Sequence, residues 1–100
     1  MKKIKDLVEH IKDELEDAQT YAECYVENKA MGETQIASKY KEMANDELKH
    51  ATYEHDMVIE EIKRVQGAGM EPPAEMLEKW DKEHKKYVDK AAWIKQMLTL

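Results

Sequence analysis

Apolar residues at Ile4, Leu7, Val8, Ile11, Leu15, Ala18, Ala22, Tyr25 and Val26 recur at three- and four-residue intervals, with charged residues between them. That spacing lines one face of a helix, expected over about residues 3–28. The stretch 28–34 contains Gly32 and interrupts the pattern as a turn does. A second stripe of Ile36, Tyr40, Met43, Ala44, Leu48, Ala51, Val58, Ile62 and Val65 predicts a helix over about 34–66. Gly67 follows, where a left-handed cap is easy for a residue without a Cβ. The run Gly67-Ala68-Gly69-Met70-Glu71-Pro72-Pro73 is the one strong break, and Pro73 suits the first turn of a third helix. That helix, expected over about 73–98, carries Met76, Leu77, Trp80, Tyr87, Val88, Ala91, Ile94 and Leu98. The fold expected is all-α: a single domain over 1–100, made of a long antiparallel hairpin and a third helix.

Composition sharpens this picture in three places. Three apolar stripes on a chain of 100 residues are hard to bury in one copy, so self-association is expected. A net charge of −6 without any basic run argues against nucleic acid as a partner and suits cations. No apolar stretch approaches the roughly 20 residues that cross a bilayer, so no membrane partner is expected. The N-terminus lacks a signal peptide's apolar run, and Cys24 is the lone cysteine. Both predict a cytoplasmic, reducing location.

The chemistry sits where polar residues interrupt the stripes, because an unpartnered carboxylate is costly to bury. At about 100° per residue, Glu47 falls in the middle of the second helix's apolar face, His50 toward its edge and Glu54 again at its centre. On the first helix Glu14 lies on the Leu7–Ile11–Ala18–Tyr21 seam, whereas Glu16 points away. With the turn centred near Met31, equal rise along two antiparallel helices puts Glu14 and Glu47 at nearly one level, roughly 25 Å from the turn. The string Glu47-Leu48-Lys49-His50 is common by chance; its position opposite Glu14 is what carries weight. Carboxylate oxygen and imidazole nitrogen suit iron or manganese, with zinc also possible. One hairpin gives too few ligands for a closed site. Two hairpins about a two-fold axis would give four carboxylates and two imidazoles, the ligand set of di-iron carboxylate bundles.

The segments Asp13-Glu14-Leu15-Glu16-Asp17-Ala18-Gln19-Thr20-Tyr21 and Asn45-Asp46-Glu47-Leu48-Lys49-His50 resemble the half-ferritins of the ferritin-like superfamily, meaning encapsulated ferritins and short rubrerythrin-like proteins. The resemblance covers about the first 65 residues. It implies a ferritin-like four-helix bundle completed by dimerisation, two irons per dimer, and oxidation of Fe(II) by dioxygen or peroxide. By the same resemblance Glu14, seven residues before Tyr21, is a terminal ligand, Glu47 the bridging ligand and His50 the imidazole ligand. Glu16 matches a position that collects metal ions on their way to the centre. The chain departs from the encapsulated ferritins in its long amphipathic third helix and in showing no targeting sequence after Leu98. It departs from full rubrerythrins in having no paired cysteines.

Three readings follow: a ferroxidase-like oxidoreductase working as a homodimer or higher even oligomer, a peroxide-reducing enzyme with the same ligands, and a metal-free structural or adaptor bundle. A secondary cluster is also expected. Counting levels from the break near Gly69 sets His84 beside His55, with Glu54 and His10 nearby, about 12 Å from the main site. Tyr21 is a candidate to hydrogen-bond a ligand carboxylate or to carry an oxidising equivalent.

Overall fold

The computed structural model describes residues 2–100. It contains three helices, α1 (Lys2–Ala30), α2 (Thr34–Gly67) and α3 (Ala74–Met97), and no strand among the described residues. Each bound lies within two residues of its expected position. α1 and α2 form the long antiparallel hairpin, and α3 packs along α1.

Both hairpin helices end in the same device. A glycine in the left-handed region follows the cap, Gly32 (φ +79°) after α1 and Gly69 (φ +77°) after α2. Around it the Gly32 and Glu33 amides donate to Lys29 and Asn28, and the Gly69 and Met70 amides donate to Gln66 and Val65. These two crossed bonds form a Schellman motif, which satisfies carbonyls that the helix end leaves free. The expectation for Gly67 is corrected accordingly: it closes the helix, and Gly69 takes the left-handed turn. Pro73 likewise sits one residue earlier than expected, at the cap of α3, with φ −54° and ψ 135°.

Burial along α2 keeps a seven-residue rhythm. Ala37, Ala44, Ala51, Val58 and Val65 are all buried, and the first four face α1, whose matching row is Ile4, Ile11, Ala18 and Tyr25. A seven-residue repeat is the mark of helices that pack nearly parallel to each other, and the alanines let the two backbones approach closely. On one side of this seam lie Leu15 and Ala22 of α1 and Leu48 and His55 of α2. α3 packs on that side, where Trp80, Ile94 and Leu98 join the core and the Tyr87 hydroxyl donates to the Val8 carbonyl at 3.2 Å. On the other side run Leu7, Glu14 and Tyr21 of α1 and Tyr40, Glu47, Glu54 and Glu61 of α2. That second edge is left open by α3.

Candidate metal centre

Glu14 reaches the open edge from the middle of α1, and Glu47 and His50 reach it from the middle of α2. The i,i+3 spacing stacks Glu47 and His50 on one face of α2, and the antiparallel hairpin brings Glu14 to their level. His50 Nδ1 lies 3.5 Å from Glu14 Oε2 and 3.4 Å from Glu47 Oε1. One donor atom from each of the three lies within 4.8 Å of the others, and no other trio of His, Cys, Asp or Glu among the described residues comes this close. The two carboxylates are largely shielded, with side-chain exposures of 24% for Glu14 and 18% for Glu47, whereas His50 is 52% exposed. An ion therefore approaches from the imidazole side and meets the carboxylates beneath it.

The electrostatics of the trio are those of acidic groups crowded against one another. The Glu47 carboxyl is pushed up to about 7, first by its hydrogen bond with the Glu14 carboxyl, then by loss of water, then by the Glu14 charge, with His50 opposing. Glu54, two turns along α2 from Glu47, is also raised, chiefly by burial and next by the Glu14 charge, while His10 and His50 work the other way. Its Oε2 is buried with no hydrogen-bond partner. Two crowded carboxyls near an orphaned carboxylate oxygen are an environment that a cation relieves. The donor set of two carboxylates and one imidazole fits iron, manganese or zinc.

The secondary candidates part company. His55 and His84 do meet, with ring centroids 4.8 Å apart, and Trp80 lies against both at 5.7 and 5.2 Å. His55 Nδ1 also lies 3.1 Å from Asp56 Oδ1. The His84 imidazole is pushed down by burial, then by His55, with Asp81 opposing. Glu54, however, belongs to the open edge with Glu14, so the expected gathering of Glu54, His55, His84 and His10 does not form. Successive residues of a helix are turned by about 100°, which sends Glu54 to one side of the seam and His55 to the other. Glu16 is exposed, as its position on the wheel requires, and its carbonyl accepts from the Thr20 hydroxyl at 3.1 Å. Tyr21 stacks on Tyr40 at 6.3 Å. Sequence reading singled out Tyr21 but not its partner; the signal was available, because Tyr40 lies seven residues before Glu47 as Tyr21 lies seven after Glu14.

Comparison with protein-family models, with curated proteins and with solved structures gives no match for this chain.

Proposed function

We propose that this chain binds two metal ions, iron foremost, between two copies of itself and oxidises Fe(II), a ferroxidase-like activity. The observation that carries the reading is the convergence of Glu14, Glu47 and His50 within 4.8 Å on the edge of the hairpin that α3 leaves open. Three donors on one chain suit a site that a second chain completes, and two such trios balance two divalent cations with four carboxylates. Two ferrous ions held there would supply two electrons, one each, enough to take dioxygen to hydrogen peroxide or peroxide to water.

The chain's own residues then have distinct work. Glu14 and His50 would hold an ion as terminal ligands, and Glu47 would be the ligand shared with the second. Because the Glu47 carboxyl is pushed up to about 7, binding displaces its proton near neutral pH, and affinity rises with pH through that range. The Tyr21–Tyr40 pair closes the same edge toward the turn, limiting water on that side. A metal-free adaptor bundle would instead set these carboxylates against lysines. Here the basic group within 4 Å of both Glu14 and Glu47 is His50.

The test is Glu47→Ala. Metal binding should be lost while the far-ultraviolet circular dichroism of the helices is kept, and Fe(II) oxidation should fall to the rate of iron in buffer. Two metals retained per dimer in that variant would overturn the assignment.

A further inference from the structure

The metal-centre reading requires a second copy but does not say how that copy lies. The exposed row on the open edge of α2 answers this. Ile36, Met43, His50 and Met57 follow at seven-residue spacing beside the Glu47–Glu54 row, and three of them are large apolar side chains facing water. Ile36 is 46% exposed, Met43 40% and Met57 48%, on a helix whose other exposed positions are mainly charged or polar. The matching row of α1 is His10, Asp17 and Cys24. Of the two helices at this edge, α2 therefore has the apolar surface to bury.

We propose that a second copy covers this row with its α2 antiparallel to the first, centred on His50; the proposal rests on the metal-centre reading above. The row is complementary to itself under that operation, as an isologous interface must be. Met43 lies seven residues before His50 and Met57 seven after it, so Met43 of each chain comes beside the partner's Met57. The same operation sets His50 beside the partner's His50, with each Glu47 within one turn of that point, so that four carboxylates and two imidazoles gather about the two-fold axis. Charge agrees at the ends. Arg64 continues the row beyond Met57, and antiparallel packing carries it level with the partner's Ile36, within one turn of the partner's Glu33 at the cap of α2. Parallel α2 helices would set Arg64 on the partner's Arg64 and Glu33 on the partner's Glu33. Packing α2 on the partner's α1 would set Met43 and Met57 against His10, Asp17 and Cys24, which offer no apolar complement.

The arrangement separates like residues. With 1.5 Å of rise per residue, Met43 and the partner's Met43 stand about 20 Å apart along the helix, and so do the two copies of Met57. Cross-linking reads this directly. In a Cys24→Ser background, Met43→Cys and Met57→Cys are made singly and together, loaded with Mn(II) and treated with a short bis-maleimide. Native mass and circular dichroism are recorded for each. The double variant, and an equal mixture of the two single variants, should give linked dimers, and neither single variant alone should. Linking within either single variant would overturn the arrangement, and so would a native dimer that links in no combination. If such a dimer still holds one metal per chain, the metal-centre reading survives and only this arrangement falls; a metal-free monomer overturns both. As a second readout, Met43→Lys and Met57→Lys should each convert dimer to monomer at low micromolar concentration, while Val88→Lys on α3 should not. Dimers indifferent to both lysines would also overturn it.

Discussion

At the scale of single residues, the site is a place where ionisation works against folding. The Glu47 carboxyl is pushed from 4.5 up to about 7, so between those values the folded chain holds a proton that the unfolded chain has released. Stability of the metal-free protein therefore falls as pH rises from about 5 to about 8. Glu47→Gln cannot ionise. In the presence of chelator it should flatten that slope and exceed the parent at pH 8 by on the order of 2 kcal/mol. Thermal melts at several pH values check this; a parent whose stability climbs over the same range would refute it. Glu54 makes a similar case, since its buried Oε2 lacks a partner. Glu54→Leu should stabilise the metal-free protein by about 1–3 kcal/mol, because a half-buried carboxylate with an unpartnered oxygen gives way to an apolar side chain. Destabilisation by urea titration would show that the carboxylate already has a partner. Glu14, Glu47 and His50 were legible in the sequence because they interrupt an apolar stripe at matched levels. Glu54 was seen as central but grouped with His55. A helical wheel shows that two neighbours diverge, and only the position of α3 shows which edge each one serves.

At the scale of elements, the helices are set by stripes and by their ends. The stripes were readable to within two residues. The caps were less so, because between α2 and α3 Gly67, Gly69, Pro72 and Pro73 compete within seven residues and of the two glycines there only Gly69 takes the left-handed turn. The side on which α3 packs was beyond reach, since all three stripes are apolar and nothing in their periodicity selects a partner. α3 is held by a few large contacts. Trp80 is buried against His55 and His84, so Trp80→Ala should cost about 3–5 kcal/mol, measured by denaturant unfolding. The Tyr87 phenol is pushed up to about 12, mainly by burial and next by Glu83. It thus stays protonated as the donor to Val8, and Tyr87→Phe should lose about 1 kcal/mol. The stacked imidazoles make this contact sensitive to acid. His84 is pushed below its ordinary 6.5 by burial and by His55, so the folded chain resists a proton that the unfolded chain accepts. The stability this contact contributes is present above about 6.5 and is lost as pH falls below it. Trp80 emission should shift to the red between pH 7 and 5, and His84→Phe should suppress the shift. An unchanged spectrum across that range would contradict the argument.

At the scale of the whole molecule, the chain is a rod of 57 × 18 × 17 Å, only two to three helices across. So slender a body leaves apolar residues at its surface, and on α2 they line up with His50. The sequence pattern already said that three stripes exceed what one chain buries. The structure adds that α3 takes one edge of the hairpin and leaves the carboxylate edge to be covered from outside. No helix among the described residues is long and apolar enough to cross a membrane. A second copy completing a metal centre accounts for the open edge, the paired carboxylates and the apolar row together. The most direct test is anaerobic titration of the chelator-treated chain with Fe(II), reading bound metal per chain alongside native mass. One iron per chain in a dimer or larger even assembly is the result expected; a chain that binds no Fe(II), whatever its mass, would contradict the account.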